Sequence, residues 1–246
     1  WVWGHDNGSS TAALAKYPNA IALSGHSHTP VADERAIWQG TFTSIGCGSL
    51  YYPGSINGRE QARDEKKVGR DGLLFSVYED RVVVERRDFL NDAEIEPKWV
   101  FPAPTFGGGE ARPYTPAVRR QTEPIPEFAK DAAVGVAFSN TNAPGSGRAC
   151  DVTATFPFAR VADKGFDAAE YEVQVERVVT DYVQASATKR VLPPRYYGAA
   201  PFRGTNVSTR LRAGELPAKT PFRIAVRPMN AFGGKGEPIY SDSITF

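Results

Sequence analysis

The stretch AIALSGHSHTP, residues 20–30, places two of the chain's three histidines two positions apart, directly after an apolar run. Residues 20–23 are too few for a helix and are bounded by turn formers, so they read as a buried strand. In front of them, GSSTAALAKYPN (residues 8–19) reads as a short helix. Ser9 or Ser10 serves as its N-cap, alanines and Leu14 fill it, and Pro18 stops it. A helix followed by a strand that ends in Ser-Gly is an α/β pattern. In such sheets functional groups collect beyond the carboxyl ends of the strands.

Side chains two apart on an extended backbone point to the same side, whereas on a helix they diverge. His26 and His28 are therefore expected to aim into one cavity, with Gly25 providing the sharp exit from the strand. Neutral imidazole suits Zn, Fe and Mn. The spacing fits one metal ion or two ions held a few ångströms apart. A pair of surface histidines hydrogen-bonded to solvent or backbone is the plainer alternative.

Downstream, TFTSIGCGSLYY (residues 41–52) has β character interrupted by Gly46 and Gly48. SINGREQARDEKKVGR (residues 55–70) is a mixed-charge, solvated excursion. GLLFSVYEDRVVVERRDF (residues 72–89) reads as a hairpin turning at Glu79 and Asp80, with Val82 and Val84 on its buried face. Six prolines between Pro102 and Pro126, together with glycines 107–109, predict an extended strap held along a surface by Phe106 and Tyr114. From Glu127 onward short apolar-alternating runs recur without a helix pattern: AVGVAFS, CDVTATFPFA, YEVQVERVV, NVSTRLRA, PFRIAVRPMN and IYSDSITF. Such spacing predicts a β-sandwich. The expected organisation is a first portion over residues 1–104, a linker strap over 105–126 and an all-β sandwich over 127–246. The whole is mainly β with a little α.

With its flank, the histidine motif becomes more specific. YPNAIALSGHSHTPVADERAIWQGTFTSIGCGSLYY (residues 17–52) resembles the closing segment of calcineurin-like metallophosphoesterases, in which a strand delivers Gly-His-x-His to a dinuclear metal centre and a Gly-Ser-containing strand follows. The resemblance extends from about Trp1 to Phe89, the hairpin matching the one that closes the family's second sheet. It implies the C-terminal portion of an α/β metallophosphoesterase sandwich. His26 would be a ligand of the second metal and His28 of the first, the ions being divalent or trivalent Mn, Fe or Zn. The implied activity is hydrolysis of phosphate esters by metal-bound hydroxide.

The family also uses upstream Asp-x-His, Gly-Asp-x-x-Asp and Gly-Asn-His motifs, and none occurs here. Two imidazoles cannot hold two metals. The resemblance therefore implies a C-terminal piece whose partner is the missing N-terminal half of the same enzyme, inactive or nearly so alone. His5 lies in WVWGHDNG, outside the family's ligand setting, and reads as a surface-loop histidine.

Residues 127–246 resemble a fibronectin type III-like domain, with YEVQVERVV as its central strand. Phe222 stands where such domains usually carry a corner tyrosine. Nothing in this part has catalytic spacing, and packing against the phosphoesterase half is its expected role. Sandwich-tailed relatives are often bacterial and extracytoplasmic, which implies export by analogy alone.

The remaining features narrow the classes. A net charge of +1 with scattered Lys and Arg gives no nucleic-acid-binding stripe. No apolar run reaches the ~20 residues of a bilayer-spanning helix. Cys47 and Cys150 form no disulfide framework. Trp1, Trp3, Tyr51 and Tyr52 are candidates for a substrate pocket, with core packing the expected role. The competing class is a non-catalytic β-sandwich surface or interaction protein in which His-x-His is incidental.

Overall fold

The computed structural model describes residues 8–54, 70–102, 112–161, 168–179, 182–197 and 205–246. The chain divides into two compact units. The first comprises Trp1–Thr122 with Pro194–Phe202, the second Glu123–Pro193 with Arg203–Phe246. This division falls inside the proline-rich stretch. The protein is mainly β, and in each unit a pair of sheets encloses an apolar core.

In the first unit α1 (Ser9–Leu14) precedes β1 (Ile21–Ser24). The expected serine cap is not used. Gly8, with φ 98°, occupies the N-cap without a side-chain hydrogen bond, and the helix ends at Ala15, ahead of Pro18. Strand β1 pairs in parallel with β3 (Thr43–Gly46), and β3 pairs antiparallel with β2 (Ile37–Gln39), giving the order β1-β3-β2. Contrary to expectation β1 is not buried, and Leu23 is 55% exposed. Its edge position explains this, since among the described residues only β3 pairs with it.

The expected hairpin forms from β4 (Asp71–Val77) and β5 (Arg81–Asp88), closed by Tyr78 N–H donating to Arg81 C=O. Strand β6 (Ala93–Pro102) extends it to a three-stranded meander. Val82, Val84, Trp99 and Phe101 from this sheet pack with Ile37 and Ile45 from the first, forming one buried cluster. Alternation along β5 carries a third side chain inward after Val82 and Val84, that of Arg86, which is fully buried. It donates from Nε to Pro97 C=O (3.0 Å) and from Nη1 to Val31 C=O (3.1 Å), pairs with Glu34 (2.8 Å) and lies over the Trp99 ring. Arg119 and Trp99 Nε1–H also donate to Glu34.

The proline-rich stretch is not extended throughout. Pro116–Thr122 forms α2, Pro116 starting the helix where its missing N–H costs nothing. Tyr114 does anchor the stretch: its hydroxyl accepts from Val100 N–H (2.8 Å), and its ring meets Phe101 edge to face. Phe106 lies outside the described residues. The first unit also recruits Tyr196, from the turn Pro194–Tyr197, whose hydroxyl donates to Asp33 Oδ2 (2.8 Å).

Among the described residues the second unit is a sandwich of seven strands. One sheet has the order β11-β8-β7, from β7 (Gly135–Phe138), β8 (Val152–Pro157) and β11 (Asn206–Leu211). The other runs β10-β9-β12-β13, from β9 (Glu170–Val179), β10 (Tyr182–Val191), β12 (Phe222–Met229) and β13 (Ile239–Tyr240). All neighbours are antiparallel. Val152, Ala154 and Phe156 face Val173, Val175, Ile224 and Val226 across the interior. Tyr171 is buried there, its hydroxyl accepting from Ala159 N–H. Glu172 and Glu176 lie low on the charged face and pair with Lys235 and Arg223.

Two glycines separate a required residue from a tolerated one. Gly48 has φ 75°, and a Cβ there would sit 2.2 Å from Asp71 Oδ1 and 2.8 Å from Val31 Cγ1. Gly25 has no positive φ and open space around it. In urea unfolding, Gly48→Ala is expected to cost about 2 kcal/mol or more. Gly25→Ala is expected to be neutral or to stabilise by about 0.4–1 kcal/mol through the unfolded chain. Equal effects at the two positions would contradict this account.

Candidate metal-binding turn

The expected extended His-x-His is a tight turn. Strand β1 stops at Ser24, and His26 and His28 both take left-handed backbone angles, φ 68° and 53°. Ser27 N–H donates to Gly25 C=O (2.8 Å) across the turn. The reversal expected of Gly25 is therefore carried by the histidines themselves. Each left-handed non-glycine residue costs about 1–2 kcal/mol, and such strain concentrates at functional positions.

The two imidazoles occupy different settings. His26 is exposed and makes no side-chain hydrogen bond among the described residues. His28 is half-buried, with Nδ1 2.7 Å from Tyr52 C=O and 3.4 Å from Ser49 Oγ. A carbonyl can only accept, so Nδ1 carries the proton and the Nε2 lone pair points elsewhere. The His28 C=O in turn accepts from Gly54 N–H (2.7 Å), so residues 49–54 hold both ends of the residue. The Tyr52 ring lies against the imidazole, centroids 4.3 Å apart, and Tyr51 meets Tyr52 edge to face at 5.3 Å.

Asp71 joins this loop to the turn. Its carboxylate accepts from Val31 N–H (2.7 Å) and Ser49 N–H (2.9 Å). Burial raises its pKa to about 6, against the opposing pull of those two hydrogen bonds. Sequence reading had passed over Asp71. Its position at the head of β4, after a polar run, gives no sign that two distant backbone amides converge on it. Cys47 follows β3, its N–H bonded to Ser24 C=O, and burial raises its thiol pKa. Both cysteines are free thiols.

Among the described residues no group of three or more His, Cys, Asp or Glu side chains is placed to hold a metal. His5, Trp1, Trp3, Asn7 and the mixed-charge segment 55–69 lie outside the described residues. The core role expected of Tyr51 is not found: it is 60% exposed, and Leu50 beside it is 67% exposed. No described helix is long and apolar enough to cross a membrane.

No family model and no curated protein matches this chain. Among solved structures, the crystal structure of chicken CNTN1 FN1–FN3 domains is similar at 16% identity, with a TM-score of 0.26. The match covers 76% of this chain and 47% of that one. A likeness this loose fixes neither fold nor function.

Asp71 generates a pH test. Its folded pKa, about 6, exceeds the ordinary 3.8, so its contribution favours folding most strongly below pH 4 and is lost as pH rises through 6. Stability of the first unit is expected to fall between pH 4 and 6 and then level off. Carbon-13 titration of the carboxyl should give a midpoint near 6. A midpoint near 4 would show the site to be hydrated.

Proposed function

We propose that the first unit carries part of the metal centre of a calcineurin-like metallophosphoesterase, a hydrolase of phosphate esters, with the remaining ligands supplied by polypeptide outside this chain. The observation that carries this reading is the hydrogen bond from His28 Nδ1 to Tyr52 C=O. Metal-binding histidines are oriented in this way, one ring nitrogen tied to a carbonyl and the other left to bind. The left-handed turn adds support, since backbone strain of this kind concentrates at functional positions.

The two residues present fit a divalent or trivalent ion such as Mn, Fe or Zn as a partial donor set. His28 would offer Nε2, and the exposed His26 either nitrogen. When bound, the ions supply Lewis acidity toward a phosphoryl oxygen and toward water. The chain's own contribution is positional. Tyr52 fixes the His28 ring and Asp71 fixes the loop carrying Tyr52, while the exposed His26 stands two residues earlier in the same turn. Strand β1 also supports a larger sheet. Parallel strands are normally covered on both faces, yet Leu23 is exposed and the Ser24 and Ser44 hydroxyls are buried without partners among the described residues.

The second unit has the strand order of a fibronectin type III domain, three strands β7-β8-β11 against four, β10-β9-β12-β13. Phe222, fully buried, fills the corner position without the hydroxyl tie of a tyrosine. We assign this unit a structural role.

Two measurements test the reading. The sequence immediately upstream of Trp1 in the gene product is expected to hold Asp-x-His, Gly-Asp-x-x-Asp and Gly-Asn-His in that order. Their absence favours the alternative, a sandwich-based interaction protein with an incidental histidine pair. On the complete polypeptide, His26→Ala and His28→Ala are each expected to lower p-nitrophenyl phosphate turnover by at least 100-fold, an order-of-magnitude expectation, with loss of bound metal. Wild-type rates in both variants would end the proposal.

A further inference from the structure

We propose that Tyr51, backed by Tyr52, is a stacking platform beside the histidine turn for a planar aromatic group, a nucleobase or an aryl ring, on the phosphoester substrate. This rests on the phosphoesterase reading for the identity of the ester, but its own evidence is independent of any metal.

The loop over residues 47–54 combines a fixed backbone with one exposed ring, that of Tyr51. Ser49 N–H is held by Asp71, Tyr51 N–H donates to Ser49 Oγ (3.2 Å), Tyr52 C=O accepts from His28, and Gly54 N–H donates to His28 C=O. Pro53 and Gly54 are buried. Gly48 cannot carry a side chain without displacing Asp71 or Val31. A loop anchored at this many points does not expose an aromatic ring through slack. Its sequence is built to present it.

Ring geometry specifies the ligand. Tyr51 meets Tyr52 edge to face, which occupies at most one of its two faces and is consistent with its 60% exposure. The open face of a phenol accepts a flat π-system by offset stacking. A furanose or an alkyl group offers this face only scattered C–H contacts, far less area than a planar π-system. Tyr52 is itself against the His28 ring, so the platform begins one ring contact from the imidazole. A phosphoester whose phosphorus is at the histidines would extend its leaving group in this direction. Leu50, exposed next to Tyr51, adds apolar area at the margin.

The test separates this inference from the reading it rests on. In the first arm the chain is kept metal-free with chelator and followed by amide NMR while adenosine 5′-monophosphate or ribose 5-phosphate is added to ~10 mM. The nucleotide is expected to shift Leu50, Tyr51 and Tyr52 saturably. Ribose phosphate is expected to leave them unmoved. Tyr51→Ala should weaken the nucleotide about tenfold, whereas Tyr51→Phe retains it, as stacking requires. No shift at ~10 mM, equal shifts with both ligands, or insensitivity to Tyr51→Ala overturns the platform. In the second arm the complete polypeptide is assayed on phenyl phosphate and methyl phosphate, and Tyr51→Ala is expected to lower kcat/KM about tenfold for the aryl ester only. A positive first arm with no hydrolysis by the wild type leaves the platform standing and removes the phosphoesterase. Hydrolysis with equal losses on both esters removes the platform.

Discussion

The backbone of Val31 is gripped from both sides by buried charge. Its N–H is taken by the Asp71 carboxylate and its C=O by the Arg86 guanidinium, one from the head of β4 and the other from β5. Val31 itself is fully buried, three residues after His28. The segment that leaves the histidine turn is thereby pinned to the three-stranded sheet, and the pin reaches back through Ser49 and Tyr52 to the His28 ring. A hydrogen bond to a charged group is worth about 1.5–3 kcal/mol, and its loss leaves the backbone partner unsatisfied. Position of the imidazole and integrity of the sheet core are therefore one problem, solved by the same two side chains.

Arg86 shows why such a solution is stable. A guanidinium fully withdrawn from water needs its donors satisfied, and the chain provides the Pro97 and Val31 carbonyls, the Glu34 carboxylate and the Trp99 ring face. Glu34 in turn gathers Arg119 from α2 and the Trp99 indole. The polar cluster is continuous with the apolar one, since Trp99 belongs to both. The second unit follows a simpler plan, a dry interior of Val, Ile and Phe with its buried acids confined to one sheet face.

Much of the fold was legible because it obeys the period-2 rule. Strands β5, β7, β8 and β11 alternate between inward and outward residues, and the acidic pair Glu79-Asp80 marks the β4–β5 turn. Strand β10 gives a weak signal because, among its described side chains, only Ala187 and Val191 turn toward the core, and a bulge between Ala185 and Ala187 breaks the phase. Strand β6 carries Glu94, Glu96, Pro97 and Lys98 and buries only Trp99 and Phe101. Arg86 was readable in principle, being in phase with Val82 and Val84, but an arginine in that phase is ordinarily taken as the strand turning to solvent. Spacing and flank single out the histidine pair as a candidate. Their turn is not legible, because left-handed geometry at histidine leaves no trace in composition, and a preceding glycine suggests the wrong pivot. General preference assigns Tyr51 to a core, whereas it lies exposed on a loop held by Asp71, His28 and Ser49.

The hydrogen bond from Tyr196 to Asp33 spans 163 positions of sequence. Because Pro194–Phe202 belongs to the first unit, that unit has a vectorial problem during translation. Its sheets can assemble once β6 has left the ribosome, but its last buried hydroxyl arrives only after four strands of the sandwich have been made. Long-range closure of this kind slows folding. Until Tyr196 emerges, the Asp33 carboxylate has the Arg35 backbone N–H and guanidinium as partners, and the tyrosine completes a cluster begun locally.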